Sequence, residues 1–295
     1  MDAGVFERWV KQSLLAVEQA LEAWVPEQAP AGLGVAMRYA VLGAGKRLRP
    51  LLVMAAAEAA GGHREAALRA ACAVELIHAY SLAHDDMPCM DNDVLRRGKP
   101  TLHVQYGEAQ AMLAGDAMQA LAFDVLTPDE GVAPALQARL CRLLARASGY
   151  DGMAGGQAID LASIGKPLDE GSLRDMHRRK TGVLLQASVL MGAACGELSD
   201  AAWEALSRYG AAIGLAFQVV DDILDVTQDS EVLGKTAGKD QDNNKPTYVS
   251  VLGLEPARAY ALRLRDDAHQ ALADSGLADT AWLSLLADKV VERDN

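Results

Sequence analysis

The run His84-Asp85-Asp86-Met87-Pro88-Cys89-Met90-Asp91-Asn92-Asp93 decides how this chain is read, together with the Leu95-Arg96-Arg97-Gly98 that follows it. It gathers the carboxylates of Asp85, Asp86, Asp91 and Asp93 directly after an apolar segment with helical spacing, Ala70 to Ala83. Acidic runs are commonly solvated faces, but an apolar helix leading into this one aims it at an interior. A second run, Asp221-Asp222-Ile223-Leu224-Asp225, follows another apolar helix, Ala211 to Val220. Burying several like charges is costly unless a cation neutralises them, so two such clusters suggest metal. Hard carboxylate oxygens favour magnesium over zinc.

Pro88 sets the geometry of the first cluster. Asp85 and Asp91 would lie about 240° apart around an unbroken helix, too far round to share an ion. The residue before a proline is pushed out of the helical region, so the helix is expected to end near Met87. In the second cluster Gln218, Asp221 and Asp225 follow i, i+3, i+7 spacing and share one helix face, with Asp222 on its shoulder. Acids at a helix C-terminus oppose the dipole and need compensation. The two clusters lie 136 positions apart (221 minus 85), each at the end of an apolar helix. They can face one another across a bundle core, where such folds build metal sites.

Working outward, the apolar segments show helical spacing and none shows sustained alternation. Phe6, Val10, Leu14, Val17 and Leu21 mark a first amphipathic helix, ended by Pro26 and Pro30. Leu33 to Leu42 reads as a second, and Pro50 sits in the first turn of a third that runs to about Ala60. Residues 64–87 form a fourth, and further helical patterns cover 102–125, 135–149, 151–162, 169–195, 199–227, 255–274 and 279–292. The expectation is an all-α chain forming one domain over residues 1–295.

Composition narrows the function. With 51% hydrophobic and 23% charged residues in 295, the chain is globular rather than disordered. A net charge of −12 argues against non-specific nucleic-acid binding, which needs a basic footprint. It suits an anionic substrate only if metal and local bases mediate the contact. Such bases are clustered: Lys46, Arg47 and Arg49; Arg96 and Arg97; Arg178, Arg179 and Lys180; Lys235, Lys239 and Lys245. Acid and base in separate patches is what a magnesium-bridged phosphate ligand requires. The scattered Cys72, Cys89, Cys141 and Cys195 read as reduced thiols of a cytoplasmic protein. Met1 to Arg8 has no basic region followed by an apolar core, so no signal peptide is expected. The longest uncharged run, Thr181 to Gly196, is 16 residues, short of the ~18 that suggest a membrane span.

Individual residues then acquire roles. Lys46 and Arg49 follow a glycine turn and open a helix, where helix N-termini and guanidinium groups both hold phosphate. His78 lies two helical turns before Asp85 on the same face, although a lone buried histidine is more often a core residue. Glu75-Leu76-Ile77-His78 matches half of a di-iron carboxylate site, but no other histidine has a glutamate three residues earlier. Lys180-Thr181-Gly182 sits inside a helical pattern where Thr and Gly permit a kink, so Thr181 can face a cavity. Gly234 to Asp240 reads as a lysine-bearing flap that closes over phosphates.

Taken together, these segments resemble the short-chain trans-isoprenyl diphosphate synthases, most nearly the bacterial farnesyl diphosphate synthases or geranyltranstransferases. The match rests on Gly45-Lys46-Arg47-Leu48-Arg49-Pro50, both aspartate motifs in order, Arg96-Arg97-Gly98, Lys180-Thr181-Gly182 and the block from Phe217-Gln218 to Asp225. It continues through Asp240-Gln241-Asp242-Asn243-Asn244-Lys245-Pro246-Thr247-Tyr248. The first motif is the longer D-D-x-x-x-x-D form, and Gly43-Ala44-Gly45 departs from the usual Gly-Gly before the lysine.

The resemblance implies an isoprenoid-synthase helical bundle around a central cavity, and a homodimer. It implies that Asp85, Asp86, Asp91, Asp221, Asp222 and Asp225 hold Mg²⁺ against the allylic diphosphate, three ions with substrate bound, with Mn²⁺ a possible substitute. Arg96, Lys180 and Lys235 would contact that diphosphate, and Lys46, Arg49, His78 and Arg97 the diphosphate of isopentenyl diphosphate. Thr181 and Gln218 would face the developing allylic cation. Tyr80, with Ser81 beside it, would form the floor that stops the tail at fifteen carbons, making the product farnesyl diphosphate. The alternatives are a geranylgeranyl diphosphate synthase with the same chemistry, and a non-catalytic partner subunit. A class I terpene cyclase fits less well because it keeps only one aspartate-rich motif.

Overall fold

The computed structural model describes residues 3–43, 45–166, 168–227 and 247–293. The helices among them are α1 (Ala3–Trp24), α2 (Leu33–Val41), α3 (Leu48–Ala59), α4 (Arg64–Asp85), α5 (Leu102–Tyr106), α6 (Glu108–Leu126) and α7 (Pro134–Ser148). They continue with α8 (Met153–Ala162), α9 (Glu170–His177), α10 (Val183–Ala194), α11 (Asp200–Thr227), α12 (Tyr248–Leu252), α13 (Leu254–Asp274) and α14 (Ala281–Val291). The expected all-α bundle is what forms.

Departures from the expected pattern have local causes. The segment 102–125 is two helices, because Gly107 at φ +88° breaks it. Between α9 and α10 the chain makes one wide π turn, Arg178–Gly182, at the Thr-Gly pair expected to permit a kink. Among the described residues, extended structure is limited to a hairpin pairing Leu95–Arg96 with Lys99–Pro100. Its two turn residues, Arg97 and Gly98, both have positive φ (52° and 73°), as a tight two-residue hairpin turn demands. Two-residue strands leave no alternation in the sequence to detect.

Helix α4 is the centre of the bundle, packed by α6 on one side and α3 on the other, and α10 bridges α3 to α11. Its core positions are mostly alanine, including Ala66, Ala67, Ala70, Ala71, Ala73, Ala79 and Ala83. Small side chains let helix axes approach closely, and Leu76 and Ile77 are fully buried between them. Truncating either to alanine should cost about 2–5 kcal/mol. By length and apolar composition α4 is long enough to cross a membrane; here that apolar surface is spent on the other helices.

The two ends of the chain meet. Trp9 of α1 and Trp282 of α14 stack with centroids 5.1 Å apart. Both indole N–H groups donate to the Glu58 carboxylate of α3, at 3.0 and 3.1 Å. This three-helix clasp fixes α14, and with it the last described turn of the chain.

Candidate active site

A cavity of about 960 Å³ lies between α3, α4, α8, α11 and the hairpin. Bordering it are Lys46, Arg49, His78, Tyr80, Ser81, Asp85, Arg96, Arg97, Lys180, Thr181 and Asp221. These eleven come from five separate stretches of the sequence reading. Asp86, Asp91, Gln218, Asp222 and Asp225 do not border it, and Lys235 with the 234–245 flap lies outside the described residues.

The first acidic run folds as Pro88 requires. Helix α4 ends at Asp85, and the chain doubles back so that Asp91 donates its backbone N–H to the Asp85 carbonyl at 2.9 Å. Asn92 at φ +51° completes the return. Asp85 faces the cavity with Lys180 Nζ at 4.0 Å. Burial raises its pKa to about 6, with Asp91 and Asp86 adding to the rise and Lys180 opposing it. A buried carboxyl held so far above its ordinary range lacks sufficient positive charge around it. Asp86 points the other way: it is buried and receives Arg96 Nε and Nη2 at 2.8 and 2.5 Å. Arg96 therefore reaches the cavity wall already paired.

The second run also divides. Asp221 borders the cavity, whereas Asp222, only 2% exposed, is enclosed within the bundle. Asp222 accepts the Gln218 amide at 2.9 Å and the Tyr248 backbone N–H at 2.7 Å. Gln218 in turn accepts the Thr181 hydroxyl at 3.2 Å. Thr181, Gln218 and Asp222 thus form one hydrogen-bonded chain from the cavity wall to the start of α12. Asp225 is buried. The i, i+3, i+7 spacing put Gln218, Asp221 and Asp225 on one face, but of the three Asp221 alone borders the cavity.

Lys180 and Thr181 are delivered by the π turn, which two glycines of other helices allow to sit deep. A side chain on Gly214 of α11 would come within 2.7 Å of the Gly182 backbone, and one on Gly156 of α8 within 2.2 Å of the Lys180 nitrogen. Lys180 Nζ donates to Asp160 at 2.6 Å, which aims the ammonium across toward Asp85.

The same cavity also carries bases. Arg49 is buried, its Nε has no hydrogen-bond partner, and burial pushes its pKa down to about 10. His78 is held well below its ordinary value, first by burial and then by the fields of Arg49, Arg97, Arg96 and Arg47, and is neutral at pH 7. Arg97 is likewise lowered by burial. Arg47, from the same motif as Lys46 and Arg49, instead has a structural place, donating to Glu18 at 2.7 Å and Glu75 at 2.5 Å. Buried cations with an unpartnered donor suit an anion with several oxygens.

Three residues here were missed in the sequence. Asp160 holds Lys180. Gln157 of α8 lines the cavity with both amide atoms buried and unpartnered. Arg293 reaches Asp221 at 2.5 Å from 72 positions away. Only long-range packing brings Arg293 in, whereas Gln157 and Asp160 have the i, i+3 spacing on one helix that also flagged Gln218 and Asp221.

The donor set fits magnesium. Among the described residues no group of three or more His, Cys, Asp or Glu is arranged to enclose an ion. Mg²⁺ is commonly held by one or two carboxylates plus waters and substrate phosphates, and Asp85, buried on the cavity wall, is a carboxylate that could serve in this way.

The signature of the polyprenyl synthetases matches residues 31–277, and the chain belongs to that family. It is 47% identical over 283 residues to geranylgeranyl pyrophosphate synthase 7, chloroplastic, of Arabidopsis thaliana, covering 95% of this chain and 82% of the relative. It is 45% identical to the chloroplastic geranylgeranyl pyrophosphate synthase of Capsicum annuum, covering 98% and 79%. Among solved structures, an FPP/GFPP synthase from Zymomonas mobilis superposes with a TM-score of 0.88 at 40% identity, covering 98% of this chain and 100% of that one. A geranyltransferase from Helicobacter pylori, complexed with magnesium and isoprenyl diphosphate, gives 0.84 at 34% identity, covering 96% and 95%.

Chloroplastic relatives overturn the cytoplasmic expectation. That expectation rested on free thiols, and Cys72, Cys89, Cys141 and Cys195 are indeed unpaired. Thiols stay reduced in any reducing compartment, so they do not single out the cytoplasm.

Proposed function

We propose that this chain condenses isopentenyl diphosphate head to tail with an allylic diphosphate, lengthening it by five carbons. The observation that carries this reading is one cavity bordered both by Asp85 and Asp221 and by Arg49, Arg97, Lys46 and neutral His78. Two diphosphates need two such sets of side chains.

Asp85 and Asp221, which border the cavity, are the carboxylates assigned to magnesium, with Asp91, whose charge Asp85 feels, beside the first and Asp225 buried behind the second. When bound, the metal neutralises charge gathering on the leaving diphosphate. Lys180 and Arg96 bind the same diphosphate, steered by Asp160 and Asp86. In this state Asp86 and Asp222 serve as anchors for Arg96 and for the start of α12 rather than as cavity ligands. Lys46, Arg49, Arg97 and His78 bind isopentenyl diphosphate. As the allylic C–O bond breaks, the Thr181 hydroxyl oxygen, held by Gln218 behind it, lies beside the developing cation, and the apolar wall of Met153, Ala158, Leu161 and Leu224 excludes water. The double bond of isopentenyl diphosphate attacks, and the proton lost passes to the departing diphosphate; no side chain is needed as a dedicated base.

The names of the relatives support geranylgeranyl diphosphate as the product in preference to farnesyl diphosphate. One observation favours the fifteen-carbon reading: Tyr80 borders the cavity, and no residue of α6 does. A homodimer is proposed as the working assembly. Some relatives are named as large subunits of heterodimeric geranylgeranyl pyrophosphate synthases, which makes a second, different subunit the rival. Purified protein incubated with isopentenyl diphosphate and dimethylallyl, geranyl or farnesyl diphosphate, with products resolved by chromatography, tests both points. Failure to extend any primer rejects the reading, and the longest product identifies the floor.

A further inference from the structure

Arg293 lies two residues beyond α14, yet its guanidinium reaches the edge of the cavity. Nη2 donates to Asp221 Oδ1 at 2.5 Å and to the Phe217 carbonyl at 2.7 Å. The guanidinium lies 4.0 Å over the Phe217 ring, and Nε is buried without a partner. The side chain is only 9% exposed. A flat guanidinium laid over the ring while its end nitrogen donates twice is an arrangement that a lysine ammonium reproduces only in part. The position is not accidental, since the Trp9–Trp282–Glu58 clasp fixes the helix that carries it.

Asp221 and Asp85 are consequently unequal. Asp85 has its nearest cation, Lys180, at 4.0 Å, and that lysine is committed to Asp160. Asp221 is in direct contact with a guanidinium, at the edge of the cavity that Arg293 also borders. A carboxylate already neutralised at one oxygen attracts a divalent ion less strongly, because the ion must first separate the pair.

We propose that Arg293 is a resident counter-ion of Asp221, which magnesium and diphosphate together must displace before that carboxylate can serve as a ligand. This rests on the assignment of Asp221 to metal made above. By linkage, whatever strengthens the Arg293–Asp221 pair raises the magnesium concentration needed, and whatever breaks it lowers that concentration. The ligand-free protein thus keeps its second acidic wall closed to free magnesium, and opens it only to the ion that arrives with a phosphorylated ligand.

The test is a magnesium titration of the full-length protein at fixed inorganic diphosphate, read as thermal stabilisation and not as turnover. Arg293→Gln is expected to lower the half-saturating magnesium concentration about tenfold. Arg293→Lys, which keeps the charge but loses the flat stack on Phe217, should fall between the variant and the parent. Asp221→Asn should raise the midpoint severalfold, and adding Arg293→Gln to it should change the midpoint less than twofold. An unchanged or raised midpoint in Arg293→Gln overturns the proposal, as does a parental midpoint in Arg293→Lys. An equal fall in the Asp221→Asn background also overturns it. A parental midpoint in Asp221→Asn alone is a different failure, since it removes Asp221 from the metal site whatever Arg293 does.

Discussion

Asp222 receives the backbone N–H of Tyr248 at 2.7 Å, while Asp221 beside it opens to the cavity. Neighbouring carboxylates of one motif therefore have different work. Asp222→Ala removes two hydrogen bonds to a buried charge and should destabilise the fold by about 3 kcal/mol. Asp221→Ala breaks the pair with Arg293, whose side chain is only 9% exposed, and should cost less, about 1–2 kcal/mol, yet abolish turnover. Thermal melts of the two variants check this, and equal losses of stability would make the division of labour wrong.

The pH dependence of stability isolates Asp85. Its pKa is raised from 3.8 to about 6 by burial, so the native state holds the proton more tightly than the unfolded chain does. As pH rises from about 4 to about 6 the unfolded chain releases its proton first, and the contribution of Asp85 to stability falls. Above about 6 the buried charge is fully felt. Asp85→Asn should therefore stabilise the metal-free protein at pH 8 by up to about 3 kcal/mol, with the gain vanishing below about pH 4. His177, pushed down to about 4 by burial, acts in the opposite sense over the same window. The difference between variant and parent is thus the informative curve, and a gain that persists at low pH would contradict the assignment.

Gly214 is where the π turn meets α11. A methyl group there would lie 2.7 Å from the Gly182 Cα and 2.8 Å from its carbonyl oxygen. Gly214→Ala should cost about 1–3 kcal/mol through overpacking. It should also lower kcat by well over tenfold, because Lys180 and Thr181 ride on the displaced turn. Intact kinetics in a folded Gly214→Ala protein would mean the turn can shift without harm.

Tyr80 separates the two product readings. If its ring is the floor, Tyr80→Ala lengthens the product by one or more five-carbon units under otherwise identical assay conditions. An unchanged chain length on chromatography would place the floor elsewhere.

The bundle was legible because helix periodicity and proline or glycine stops are local signals, and they located α1 to α4 and α11 nearly to the residue. The site was legible as far as each motif carried its own chemistry: Lys46, Arg49, His78, Asp85, Lys180 and Asp221 meet at one cavity. What stayed hidden depended on partners distant in sequence. Asp86 and Asp222 look equivalent to Asp85 and Asp221 until Arg96 and Tyr248 are seen to claim them. Arg293 looks like a terminal surface charge until α14 docks beside Phe217.

The central claim is that opposed acidic walls act on a diphosphate through a divalent ion. It is tested most directly by incubating the parent protein, Asp85→Ala and Asp221→Ala with isopentenyl and geranyl diphosphates, with magnesium or with excess chelator. The account predicts release of inorganic diphosphate and a longer prenyl chain only from the parent with magnesium, and turnover lower by at least about a thousandfold in each variant. Product formed at parental rates under chelation, or by either variant, would contradict it.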